Sequence, residues 1–411
     1  MISRILGGAR MLLLGLVFVE TCDGRAAAAT AAPVARFRHV TLDDRVAIGY
    51  GLALADIDGD RRIDIVLADK QVIAWYRNPD WRRFVMAERL TELDHVCVAA
   101  RDIDGDGKAE VAAGAGWNPS DTIGSGALFF LKAPEDRTRL WEPVRLAHDP
   151  TIHRIRWVRT SSGSYDLVSV PLHGRGNRNA SGDGVRILAY HPPRNAEAAW
   201  TTTALNESWH AAHNVEAVAS DDGASPGESL RVATREGVFA LMSRAGAWAW
   251  QPIASSAAGT PDFIGAGEVR SGRAADGTPL VATVEPMHGN QVVVYRPLPD
   301  RPSAVWQRTV LDASLIDGHG VVCGDFLGQG WDQVVAGWRA MNQPGKKVGL
   351  RIYAATDASW ARWETQVVDD GQMACEDLQA ADLDGDGDLD LVASGRATKN
   401  LKVYLNERLS P

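Results

Sequence analysis

One short pattern returns seven times in this chain at intervals of roughly 50–60 residues: an aromatic and, a few residues on, an aliphatic. The copies begin at Phe37, Phe84, Trp141, Trp200, Trp250, Trp306 and Trp363. Ahead of most of them runs a stretch of alternating character, such as VIAWYR, ALFFLK, QVVVYR or GLRIYA, and a last such stretch, LKVYLNE, covers residues 401–407. Alternation bounded by turn residues marks half-buried strands. A unit of this size cannot bury its apolar face alone, so neighbouring units must stack. The expectation is an all-β chain forming a single seven-bladed β-propeller over residues 33–411. Its last blade lacks an outer strand, while residues 37–42 supply one left over at the other end. Pairing the two closes the ring and leaves no bare sheet edge.

Composition agrees with many turns and few helices: 40 glycines, 14 tryptophans and 45% apolar residues in a chain of 411. A net charge of −9 without any basic stripe argues against nucleic acid as a partner. Residues 1–32 read as an export signal: Arg4 and Arg10, an apolar run at 11–19, then an alanine-rich stretch. That run is too short to span a bilayer, so no membrane span is expected and the mature protein is periplasmic or secreted. Asn179 and Asn206 open glycosylation sequons, which have meaning only in a eukaryotic host. Cys97, Cys323 and Cys375, each inside an apolar strand, read as small buried side chains rather than a disulfide frame.

Three acidic loops interrupt the strand pattern. Asp56, Asp58, Asp60 and Asp64 form the first, Asp102, Asp104, Asp106 and Glu110 the second, Asp382, Asp384, Asp386 and Asp390 the third. Oxygens at the first, third, fifth and ninth positions can converge on one hard cation, with a central glycine allowing the turn. The ninth residue starts a strand, which resembles the calcium loop of FG-GAP/VCBS repeats in integrin-type propellers. That resemblance implies Ca2+ as a structural staple. Blade six keeps Asp325 but has Leu327 and Gln329 where carboxylates stand elsewhere, and blades three to five have lost the loop.

The loops follow the first strand of each blade, so the start of that strand and the end of the second lie on the opposite face, around the central channel. Unusual residues collect there. Ahead of the first strands come Tyr50, His95, His153, His213, Asp262, His319 and Glu376. After the second strands come Trp117, His173, Arg235, His288 with Glu285, Trp338 with Arg339, and Arg396 with Lys399. Six of the ten histidines map to this one rim. Histidines with a carboxylate suit Zn2+ or another divalent cation with open positions, so His153, His213, His319 and Glu376 are the expected ligands. His95, Tyr50 and His173 are the candidates for proton transfer. Trp117, Arg235, His288, Trp338, Arg339 and Arg396 suit a carbohydrate, through stacking on C–H faces and bonds to hydroxyls.

The rim segments LDHVCVAARDIDGDGKAEVAAGAGW, TIHRIRWV, SWHAAHNVEAV, GHGVVCGDFLGQGWDQVVAGWR and CEDLQAADLDGDGDLDLVASGRATKNLKVYLNE resemble the propeller domain of aldos-2-ulose dehydratase and its relatives. The resemblance implies a metal-dependent carbon–oxygen lyase that eliminates water from a keto-sugar. The fungal members carry cupin domains after the propeller, which residues up to Pro411 do not contain. The same rim suits β-elimination from a uronate polysaccharide, and a non-catalytic propeller that binds glycan or protein is the reading from another class.

Overall fold

The computed structural model describes residues 34–408, apart from 180, 194–198, 220–226, 245–246, 299–304, 342 and 358. The expected export signal lies outside the described residues. Seven antiparallel sheets of four strands follow one another, with no helix among the described residues. In six of them the strands run from inner to outer in chain order. In the seventh, the strand Phe37–Asp43 lies outermost and pairs with Asn400–Asn406, from Phe37 opposite Asn406 to Thr41 opposite Lys402.

The inner strands of blades one to seven are Gly51–Ala55, Cys97–Arg101, Ile152–Arg159, Ala212–Ala219, Glu268–Arg273, Gly318–Gly324 and Cys375–Ala381. Each touches the next, and that of blade seven touches that of blade one, so they line one continuous channel. The core lies between blades. Trp75, Met86 and Trp141, for example, pack with Val111 and Leu131 at the seam of blades one and two. Burying such a side chain contributes about 1.5–3 kcal/mol. The three described cysteines are free.

Polar ties also cross the seams. A tyrosine on the third strand of a blade donates its hydroxyl to an aspartate on the preceding blade's outer strand: Tyr76 to Asp43 at 2.8 Å, Tyr353 to Asp312 at 2.7 Å, Tyr404 to Asp369 at 2.8 Å. Burial and the neighbouring carboxylate both raise the phenol pKa at these positions. Each hydroxyl therefore stays a donor.

The acidic loops share one hydrogen-bond plan. Asp56 accepts the N–H groups of Gly59 and Arg61, and Asp64 accepts those of Ile57 and Asn78. Asp102 and Glu110, then Asp382 and Asp390, repeat it. Oxygens of the first, third and ninth residues come within 4.8 Å of one another in each loop. The fifth residues, Asp60, Asp106 and Asp386, stand outside that close set and accept N–H groups of their own turns instead. Blade six reaches the same shape without the charge: Gln333 accepts the N–H of Leu327 and spends its amide on Gln329 and Trp331.

Candidate metal centre at the channel mouth

Four of the seven inner strands begin with a register break, and the break falls on the residues that matter. Pairing in blade three passes from Ile152 to Arg154, in blade four from Ala212 to Asn214, in blade six from Gly318 to Val321, and in blade seven from Cys375 to Asp377. The residues left out are His153, His213, His319 with Gly320, and Glu376. A bulge leaves its extra residue unpaired and bends the strand, which re-aims the side chain. Blade five has no break in this strand, and its first position toward the mouth is Gly267, which offers only backbone. Its histidine comes instead from the loop after the second strand, where His288 sits at a φ of 54°.

Ring nitrogens of His213, His288 and His319 lie within 4.8 Å of one another. The Nε2 atoms of His213 and His288 are 2.7 Å apart. Nδ1 of His213 faces the Gly267 carbonyl at 2.7 Å, and Nδ1 of His319 faces the Glu376 carbonyl at 2.5 Å. A carbonyl can only accept, so each Nδ1 carries the proton and each Nε2 lone pair is left for the cluster. His153 joins from the side, its ring 4.6 Å from that of His213 and stacked on Trp117 at 4.7 Å. Its buried Nε2 has no hydrogen-bond partner among the described residues.

Burial, then the charges of nearby arginines and of the other rings, holds His153 and His319 well below the usual imidazole range, and His288 falls to about 2. Those three rings are neutral at physiological pH, which is the form that ligates. Three converging imidazoles, two of them oriented by backbone carbonyls, beside a fourth whose Nε2 is unpartnered among the described residues, fit a divalent transition cation with open positions.

The other expected rim residues sort by geometry. Glu376, expected as a ligand, gives its two oxygens to Arg339 at 2.7 Å and Arg396 at 2.9 Å, so it acts as an anchor. Arg339, buried, also binds Asp317. Arg396 lies over the Tyr50 ring at 5.4 Å, and the Tyr50 hydroxyl donates to Asp94 at 3.0 Å. Burial and then the Asp94 charge raise the Tyr50 pKa, which keeps it a proton donor rather than a base. His95 turns away from the mouth: it is fully buried, and its Nε2 accepts the Leu90 N–H at 3.2 Å. His173 is half-buried, and burial lowers its pKa, but no ring contact ties it to the cluster among the described residues. Trp338 is buried, with its indole N–H on the Lys347 carbonyl and Arg351 against its face, so it is no stacking platform. Arg235 and Asp262 are exposed. His288, expected to touch substrate, is the residue whose role changes most, since it completes the three-nitrogen set. The signal available for it was its place in the short turn after a strand whose partner carries no bulge histidine.

Residues 125–297 match the family model of the aldos-2-ulose dehydratase β-propeller domain, and residues 56–113 match that of the FG-GAP-like repeat. The chain is a propeller protein with FG-GAP-type repeats. The first match runs from the third strand of blade two to the third strand of blade five and includes His153, His213 and His288. The second includes the acidic loops of blades one and two. A comparison with curated proteins found no match. Among solved structures, the chain is similar to one from the "Crystal Structure of Mitotic Checkpoint Complex", with a TM-score of 0.54 and 14% identity over 98% of this chain and 99% of that one. It is also similar to one from the "Crystal structure of BBS1N in complex with ARL6DN, soaked with mercury", with a TM-score of 0.53 and 14% identity over 92% and 98%. At that identity the likeness is one of fold.

Proposed function

We propose that this protein is an exported, metal-dependent carbon–oxygen lyase that removes water from an oxidised sugar at the histidine end of its channel. The observation that carries this reading is the orientation of His213 and His319 by backbone carbonyls, which points their Nε2 lone pairs, with His288, toward one spot. The match of residues 125–297 to a sugar dehydratase propeller supports it. His213, His288 and His319 would hold a divalent cation, which would supply Lewis-acid polarisation of a substrate carbonyl. His153, beside the three, is the base that takes the proton from the carbon next to that carbonyl. Electrons of that C–H bond form the new C=C bond as the β C–O bond breaks, and the departing hydroxide takes a proton from the Tyr50 hydroxyl to leave as water. Arg396, pinned by Glu376 and lying against Tyr50, fixes where that hydroxyl sits. Calcium in the three acidic loops is the second metal of the proposal. Burial pushes the carboxyls of Asp64 and Glu110 up to about 7 and that of Asp390 to about 6, a strain that a bound cation relieves.

The test is metal analysis together with an ultraviolet assay for the conjugated enone formed from a keto-sugar. The purified protein should hold about one equivalent of transition metal beside its calcium. His319→Ala should lose that metal and at least ~100-fold of the activity, while calcium and the melting temperature stay in place. A protein that carries calcium alone and makes no enone returns the reading to a glycan- or protein-binding propeller.

A further inference from the structure

The channel has a second end, and its chemistry is different. The same inner strands that begin at the histidines finish on the acidic-loop face around a cavity of about 290 Å³. Every residue lining it belongs to an inner strand or directly continues one, in blades one to five and seven. His153 and Arg156 stand three residues apart on one strand, so the two ends are about 10 Å apart along the chain. No residue lining the cavity belongs to the histidine cluster.

Three arginines face this space: Arg101, Arg156 and Arg270. Arg101 is neutralised by both oxygens of Glu228, at 2.8 and 2.9 Å. The other two have no ion-pair partner among the described residues. Arg156 donates only to the neighbouring Ile155 carbonyl, and Arg270 to the Val269 carbonyl and, at 3.5 Å, to Asn214. The acids nearby are committed to backbone. Glu216, which also lines the cavity, accepts the Ser271 N–H, and Asp377 accepts those of Leu52 and Leu378. Burial, and then the charge of Arg270, pulls Arg156 down to about 10. Burial raises Glu216. Both shifts have burial as their first cause, and the like charge of Arg270 adds to it at Arg156. A guanidinium has five N–H donors in a flat fork that matches two oxygens of an anion.

We propose that this end of the channel is a binding site for a small oxyanion, a carboxylate or a tetrahedral anion, held by Arg156 and Arg270. The cavity has room for such an anion and a few waters, at about 30 Å³ per water. Gln379 adds a neutral polar group to the lining that Arg156, Arg270 and Glu216 share.

The experiment is calorimetric titration of the full-length mature protein with sodium sulfate and, separately, sodium acetate, in calcium-containing buffer and against sodium chloride at equal ionic strength. Saturable binding of one or both salts beyond the chloride control is expected. Sulfate alone assigns a tetrahedral ligand, and acetate alone a carboxylate. Arg156→Gln should weaken that binding roughly tenfold or more. Gln379→Glu, which leaves both arginines in place and adds a negative charge at the wall, should weaken it similarly without changing the melting temperature or the metal content at the histidines. The second variant carries the test if the first fails to fold. Heats no larger than chloride for both salts, or binding unchanged in Gln379→Glu, overturn the proposal.

Discussion

Glu376 shows how a single residue can sit in a metal site's row without being a ligand. Its backbone carbonyl sets the tautomer of His319, while its carboxylate is divided between Arg339 and Arg396. Those two tasks predict a separation in a single substitution. Glu376→Gln keeps the carbonyl and removes the charge, so the transition metal should be retained, in contrast to His319→Ala. Arg339 keeps Asp317 but loses its second counter-charge in a buried setting, which should cost about 1–3 kcal/mol in chemical denaturation. Loss of metal with unchanged stability would return the carboxylate to the ligand set. The sequence made His153, His213, His319 and Glu376 visible because each stands just ahead of, or at the start of, the first strand of its blade. It could not show that each is a bulge residue, since a bulge is a fact of pairing between two strands. Nor could it show that His95, likewise ahead of a first strand, is turned inward onto Leu90.

At the scale of the loop, blade six is a natural comparison for the acidic ones. There the ninth side chain, Gln333, accepts the N–H of Leu327, the third loop residue rather than the second, and no carboxylate cluster is needed to hold it. In blades one, two and seven the ninth side chain accepts the second residue's N–H instead, and it is a carboxylate that burial disfavours as an anion. Chelation should therefore destabilise those three blades and spare blade six. Each site saturated at a hundred times its dissociation constant contributes about 2.7 kcal/mol, so removal of calcium should lower the melting temperature markedly. Asp384→Asn, at the third position of the blade-seven loop, should remove one of three equivalents of calcium and roughly a third of that increment. Calcium analysis and thermal melts of the two proteins check both statements. The loops were readable in the sequence through their spacing. Their division of labour, with Asp60, Asp106 and Asp386 tying their own turns, depends on backbone geometry that spacing does not carry.

The ring as a whole is held shut by one outer strand and what that strand brings. Seven-fold recurrence made the blade count legible, because an odd outer strand at one end and a missing one at the other leave a single arrangement. What the pattern does not contain is the set of seam contacts. Phe37 lies 6.4 Å from Phe326, edge to face, and Asp43 receives the Tyr76 hydroxyl of blade one. Arg38 meets Glu407 at the surface, a pair worth little by itself. Removal of residues 34–43 would strip the ladder from Asn400–Asn406, orphan Tyr76 and expose a long sheet edge. At on the order of 1 kcal/mol for each lost ladder bond, the destabilisation should reach several kcal/mol. The bare edge should also pair with other copies, so light scattering after size exclusion should report self-association together with a lower denaturation midpoint. The histidine cluster draws on blades three to six, and His319 also leans on the Glu376 carbonyl of blade seven, the blade that this strand completes. Loss of closure should therefore lower the metal content together with the denaturation midpoint. A truncated protein that stays monomeric with an unchanged midpoint would mean that packing between the inner strands, rather than the closing strand, keeps the circle complete.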